Sequence, residues 1–219
     1  MARKPLTIPR KQASQARSRA TVDALVEATA RILVRDGFDK AGTNRIADMA
    51  GVSIGSLYQY YPSKEALVAA VIDRHNRQIM RRVRTVLTEI ASQPIERAVR
   101  RVVAFAIEAH RIDPRLHRVL AEQIPRVGRL ENVEALNREG YALIRGYLES
   151  RRDELRVRDL DLAAFVCGTS IEALTHAAVL YHTEMLRDAE ALIEEVTRFI
   201  SGYLQPTPVW RRDIPAAGS

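Results

Sequence analysis

An all-α fold is predicted for this chain by three observations. Apolar residues return at intervals of three and four along most of its length. No segment alternates apolar and polar residues between turn formers, as a strand would. The breaks between periodic stretches fall on glycine, proline and cap-forming residues. About nine helices are expected.

Val22, Leu25, Val26, Thr29, Ile32 and Leu33 share one helix face, so a first helix is expected over about 15–36, stopped by Gly37. The next segment, TNRIADMAGVSIGSLYQYYPSKEAL (residues 43–67), reads as two short helices, a glycine turn between them, and the start of a third. Thr43 is placed to cap the first short helix, whose apolar face is Ile46, Ala47 and Ala50. Gly51 supplies the positive φ that a sharp turn needs. Val52 plugs the turn and Ser53 caps the second short helix. Leu57 and Tyr60 or Tyr61 pack it back on the first, which leaves Ile54, Gly55, Ser56, Tyr58 and Gln59 facing outward. At least one of the three tyrosines belongs to the core, and Tyr61 is the favoured one.

Ser63 caps a long helix that runs to about Ala91, with Glu65 near its N-terminal dipole. Gln93-Pro94 opens a helix over about 94–111 with Val99, Val102, Val103, Ala106 and Ile107 inward. Asp113-Pro114 is a cap followed by proline at the first helical position, and that helix is expected to end near Pro125. Further helices are expected over about 129–155 (carrying Val133, Leu136, Tyr141, Leu143, Ile144, Tyr147 and Leu148), 159–182 and 188–204. Residues 205–219 hold three prolines and are expected to form a flexible tail.

With 219 residues and 47% hydrophobic residues, the chain can bury a sizeable core. Six of its basic residues, Arg3, Lys4, Arg10, Lys11, Arg17 and Arg19, lie in the first twenty positions without an acidic residue. The net charge of +7 is therefore local, and about +1 remains for the rest. Such an arm (1–14 disordered, Arg17 at its edge) is held near DNA by phosphate charge. The single cysteine, Cys167, excludes an internal disulfide and a cysteine zinc cluster. No apolar run reaches the ~20 residues that span a bilayer, and no apolar stretch follows the basic N-terminus. Cytoplasmic residence is expected.

A helix-turn-helix in a basic helical chain points to DNA. The stretch GFDKAGTNRIADMAGVSIGSLYQYYPSKEAL, residues 37–67, resembles the DNA-binding domain of TetR-family transcriptional regulators, and the likeness extends from about Thr21. The resemblance implies a DNA-binding unit over 15–67, an effector-binding and dimerisation body over 68–204, and a homodimer on a palindromic operator. By matching position it implies that Thr43, Ser53, Ser56, Tyr58, Tyr60 and Lys64 contact DNA. Of these, Thr43, Tyr60 and Lys64 would touch mostly phosphate, while Ile54, Gly55, Ser56 and Gln59 suit base edges. Gly42-Thr43 departs from the Thr-Thr or Thr-Ser common in the family. Gln59 replaces a frequent histidine and offers a pair of hydrogen bonds to adenine.

The last two helices are read as the dimer interface. Ala163, Ala164, Gly168, Ser170, Ala173, Ala177 and Ala178 allow close helix approach, and Leu192, Val196, Phe199 and Tyr203 form a stripe. The resemblance also implies a small, hydrophobic effector. Its lining is sought among Phe105, His110, Gln123, Tyr141, Cys167 and His176, polar or aromatic residues on otherwise apolar faces. The alternative is a DNA-binding structural or partner-controlled protein with no small-molecule effector. No catalytic set is supported and no cofactor is expected. Glu172 and His176 sit four apart on one face, but one such pair does not define a metal site. His110 and His117 are seven apart, and Pro114 breaks the face they would share.

Overall fold

A computed structural model of the protein describes residues 16–127 and 131–205. The N-terminal arm, the tail beyond Gln205 and the side chains of Arg17, Gln123, Val133 and Leu136 lie outside the described residues. Among the described residues there are nine α-helices and no strand, as predicted. They are α1 (Ala16–Asp36), α2 (Thr43–Ala50), α3 (Ile54–Tyr60), α4 (Lys64–Ile90), α5 (Ile95–Arg111), α6 (Pro114–Val127), α7 (Glu131–Glu149), α8 (Leu160–Leu180) and α9 (Ala189–Leu204). Short 3-10 turns lie at Arg152–Glu154 and Thr183–Leu186.

Most boundaries follow from local chemistry. Gly37 ends α1 at φ 79°, with its N–H donated to the Leu33 carbonyl. Asp113 Oδ1 accepts the Leu116 N–H at 2.9 Å, so Asp113 and Pro114 do start α6 as their pairing suggests. The helix continues past Pro125 to Val127, two residues beyond the expected end. The helix expected over 129–155 ends earlier, at Glu149. The chain after it is committed elsewhere: the Arg156 N–H and guanidinium donate to the carbonyls of Leu204 and Tyr203, closing the C-terminus of α9.

The first buried cluster joins α1, α2 and α3 to the N-terminal half of α4. Leu25, Ile32, Leu33, Ile46, Leu57, Leu67 and Ile72 are its fully buried large side chains. The expected boundary at Leu67 falls within this core, which runs on through Val71 and Ile72. Leu120 of α6 belongs to it too, with Leu116 and Val119 against its edge. Among the described residues the body has two clusters. One gathers α5, α8, α9 and the end of α7 around Ile95, Val103, Leu148, Ile200 and Leu204. The other places Phe105 of α5 against Val86 and Ile90 of α4.

The residues read as an interface on the last two helices divide between core and surface. Ala163, Ala164 and Ala178 are buried within the chain, and Gly168 lies under α7, where an added Cβ would come within 3.1 Å of Tyr141 and Ile144. These small residues serve the chain's own core. Val196 is buried and Leu192 and Tyr203 lean on the same core, while Phe199 points outward at 56% exposure. The expected absence of a bilayer-length apolar segment is corrected. α8 has 21 residues, with an 18-residue stretch of mean hydropathy 1.4 that is 39% buried in the chain, and is long and apolar enough by length and composition to cross a membrane.

Gly51 provides a test of the turn. It sits at φ 68° with nothing within 4 Å of where a Cβ would stand, so substitution strains only the backbone. Gly51→Ala is expected to lower unfolding free energy by about 1 kcal/mol, read from urea denaturation.

Candidate nucleic-acid interface

The α2–turn–α3 unit is built by short-range hydrogen bonds. The Gly51 and Val52 N–H groups donate back to the Asp48 and Ala47 carbonyls, which reverses the chain after α2. Ser53 Oγ accepts the Ser56 N–H at 3.1 Å and lies 2.9 Å from Ser56 Oγ, so Ser53 caps α3 as expected. The cap of α2 is Gly42, without a side-chain bond. Thr43, expected to be that cap, is the first helical residue, and its hydroxyl lies 3.1 Å from the Tyr58 hydroxyl. This contact ties the outer face of α3 to the start of α2.

Along α3 only one face is used by the core. Leu57 is fully buried and Tyr60 is 8% exposed. Tyr61 is also buried, as favoured, and burial beside Asp23 and Asp73 pushes its phenol up to about 12. Tyr60, matched to a phosphate-contacting position, thus has its ring in the core and offers only its edge outward. The remaining residues form the free face: Ser53, Ile54, Gly55, Tyr58 and Gln59 are exposed and Ser56 is partly so. Gly55 stands out. Nothing but Ser53 Oγ, at 3.9 Å, would meet a Cβ there, and the backbone is ordinary helix. The fold has no need of glycine at that position.

Beside α3 the surface is concave. Ser18 and Thr21 of α1, the turn at Gly51 to Ser53, and Ser56, Gln59 and Tyr60 surround a shallow hollow of about 470 Å³. Hydroxyls and an amide line much of it, suitable for phosphate and water contacts. Lys64 is less free than its matched role suggests. Its ammonium donates to the Phe38 carbonyl at 3.2 Å and stands 4.0 Å from the Phe38 ring centroid, pinning the loop before α2 to α4.

Of the residues expected around an effector, the five described ones are spread over several parts of the body. Phe105 is in the α4–α5 core and Cys167 in the α5–α8–α9 core. Burial raises the Cys167 thiol to about 12, so it stays protonated at neutral pH. Tyr141 lies on the α7–α8 seam, its hydroxyl 3.1 Å from Thr169 Oγ1 and its ring 5.7 Å from that of Phe165. The side chain of Gln123 lies outside the described residues. Only His110 and His176 come together, and they do so with two residues not expected there, His75 and His117.

These four imidazoles come from α4, α5, α6 and α8. His75 Nε2 is 3.3 Å from His117 Nδ1. The His117 ring centroid is 4.5 Å from that of His110 and 5.1 Å from that of His176. The break at Pro114 was expected to separate His110 from His117, yet it is the sharp α5–α6 corner that folds them together. Seven-residue spacing across an Asp-Pro helix start was the available signal. Burial, reinforced by the neighbouring histidines, pushes His110 down to about 3 and His117 to about 4. His110 Nδ1 and His117 Nε2 are buried without a hydrogen-bond partner. Glu172 is exposed.

Known proteins share both halves of this architecture. The pattern of the tetracyclin repressor-like C-terminal domain matches residues 94–204, and that of the tetR family of bacterial regulatory proteins matches residues 25–71. An uncharacterised HTH-type transcriptional regulator of Mycobacterium tuberculosis is 31% identical over 84 residues, 38% of this chain and 41% of the relative. The HTH-type transcriptional activator FasR of Mycolicibacterium smegmatis is 41% identical over 63 residues, 29% of each protein. The chain thus matches less than half the length of these curated relatives. Among solved structures, the fatty acid degradation regulator FadR of Bacillus halodurans superposes with TM-score 0.65 at 16% identity, covering 87% of this chain and 97% of that one. FadR of Bacillus subtilis, in complex with stearoyl-CoA, gives 0.63 at 17% identity, covering 83% and 98%. At such identities the likeness is one of fold.

The histidine cluster sets a pH dependence. In the unfolded chain these imidazoles titrate near about 6.5, so below that pH the unfolded state binds protons that the native state refuses. Stability is therefore unaffected above the unfolded value and falls as pH drops toward the native values of about 4 and about 3. The melting temperature is expected to drop between about pH 7 and about pH 5, and less steeply in His110→Gln/His117→Gln. Equal slopes for the two proteins would mean that these rings are solvated.

Proposed function

Because the chain belongs to the TetR family of bacterial regulators, we propose that it is a homodimeric repressor that leaves a palindromic operator when a small hydrophobic molecule enters its body. The observation that carries the DNA reading is the exposed face of α3, with Gly55 at its centre. A glycine within a helix costs about 1 kcal/mol relative to alanine, and no contact within the chain calls for one there. An approaching DNA backbone or base edge would. Ser53, Ile54, Ser56 and Gln59 flank it on the same exposed face, and the neutral amide of Gln59 suits adenine. Arg17 and the basic arm would add phosphate contacts. Thr43, Tyr58 and the outward edge of Tyr60 would fix the register.

Support for a dimer comes from α8 and α9. Leu162 and Phe165 on α8 and Phe199 on α9 are each more than half exposed, a pattern expected of an interface that repeats in a second copy. Two heads so joined would present two α3 helices about one DNA turn apart, roughly 34–36 Å. Support for an effector over the partner-controlled alternative comes from polar atoms stranded in the body: besides the two histidine nitrogens, Thr197 Oγ1 and Ser201 Oγ on α9 are buried without partners. A ligand could reach the heads through α6, whose Leu116, Val119 and Leu120 touch the head core while Arg118 donates to the Leu180 carbonyl at the end of α8.

The DNA reading is tested by selecting bound sequences from a random duplex pool and measuring affinities by fluorescence anisotropy. Gly55→Ala is expected to keep or raise unfolding free energy by about 0.5–1 kcal/mol while weakening specific DNA binding at least about tenfold. Gln59→Ala is expected to relax preference at one base pair by about 1–3 kcal/mol. Lys64→Ala is expected to weaken all sequences alike, with a salt slope smaller by about one if the ammonium reaches phosphate. No selected sequence would refute the reading. The effector is sought by thermal shift against acyl, aromatic and cationic amphiphiles. A hit that raises the melting temperature with dose and releases the operator supports it, and a hit that leaves the DNA bound counts against it.

A further inference from the structure

We propose that His75, His110, His117 and His176 form a binding site for one divalent transition-metal ion of the kind that prefers imidazole, such as zinc, cobalt or nickel. The cluster contains the right chemistry and no excess. Four neutral nitrogen donors satisfy a tetrahedral ion of this class without a thiolate or carboxylate. The spacing agrees. With nitrogens about 2.0–2.1 Å from a tetrahedral metal, neighbouring donor atoms lie about 3.3 Å apart and ring centroids about 5 Å apart. His75 Nε2 and His117 Nδ1 are separated by 3.3 Å. The centroid separations are 4.5 Å for His110–His117, 5.1 Å for His117–His176, 5.5 Å for His75–His117 and 5.6 Å for His110–His176.

A further observation points to a ligand. His110 is 6% exposed, and its Nδ1 has no partner. A buried nitrogen left without a hydrogen bond costs free energy that a bond to a metal would recover. Asp113 places negative charge beside His75, at the edge of the cluster.

The rings are not preset. Among the described residues, no group of three His, Cys, Asp or Glu side chains is arranged to hold an ion as it stands. The four rings are tilted by 46° to 83° to one another, so at least one must turn to bring a third nitrogen to the shared point. That requirement couples binding to conformation. The ion would tie α4, which leads into the head, to α5, α6 and α8, and its affinity would depend on their relative placement. Any effect on DNA rests on the function proposed above, whereas binding itself does not.

The test uses the full chain without an affinity tag, freed of metal by a chelator and titrated with Co2+ alone. The expected result is one ion per chain, visible ligand-field absorption of tetrahedral nitrogen coordination, and a rise in melting temperature. His117→Ala and His75→Gln are expected to weaken binding at least about tenfold, and His182→Ala, an exposed histidine outside the cluster, to leave it unchanged. His75 is only partly buried, so its variant carries the test should His117→Ala not fold. Absence of both the absorption and the thermal shift in the unaltered protein overturns the proposal. So does binding in His75→Gln as tight as in the parent, which would place the ion elsewhere.

Discussion

Helices of eight and seven residues do not persist by themselves in water, and everything this chain offers to a partner at its N-terminal end depends on two such helices. α2 and α3 exist because Ile46, Ala47 and Leu57 are removed from water by α1 and α4. Local bonds choose their angle: the left-handed Gly51, the Ser53 cap and the Thr43–Tyr58 contact. The core sets that they form at all. The exposed face of α3 is consequently as rigid as the burial behind it. A rearrangement of α4 would move it as a body and would not reshape it.

The same dependence explains why α6 matters. It is a body helix by sequence position, yet Leu120 completes the head core and Leu116 and Val119 lean on it. Its other side donates from Arg118 to the last turn of α8. The histidine cluster lies at this crossing, with one ring from each of α4, α5, α6 and α8. Four clustered imidazoles are a poor choice for stability alone, since apolar side chains of similar size would leave no orphaned nitrogen. Their cost falls at the junction through which body and head are mechanically joined, where sensitivity to protons or an ion would have the greatest leverage.

Much of this was legible in the sequence. Helix order, the Gly51 turn, the Ser53 and Ser63 caps and the Asp113-Pro114 start all follow from near neighbours, and near neighbours are what a sequence displays. Thr43 was misread by one position because Gly42 took the cap and left the hydroxyl for Tyr58, a partner fifteen residues on. Lys64 shows the same limit: its donation to Phe38 spans 26 residues, and no local pattern announces it. The histidine cluster was missed for the same reason. His75 and His117 are 42 residues apart, and the proline that breaks a helix face was taken to separate side chains that a corner can equally bring together.

α8 shows how a pattern can be correct and its meaning incomplete. Small residues along it promised close approach, and the approach is to α7 through Gly168 and to the core through Ala163, Ala164 and Ala178. That uses one side of the helix. Leu162, Phe165, Thr169 and Ala173, at spacings of three and four, remain exposed, with Phe165 and Thr169 bordering Tyr141 of α7. A helix apolar on both sides satisfies either a bilayer or two protein neighbours. The charges around it bear on the choice. Arg145 reaches Asp161 in its first turn, Asp159 caps it, and Arg118 closes its end. Lipid around that face would have to accommodate these groups and the polar flank of α9, where Arg198 pairs with Glu195 beside the exposed Phe199. A second copy of the same surface would not: it would cover Leu162, Phe165 and Phe199 while the charged rim stayed in water, the arrangement that a two-fold interface of moderate size adopts.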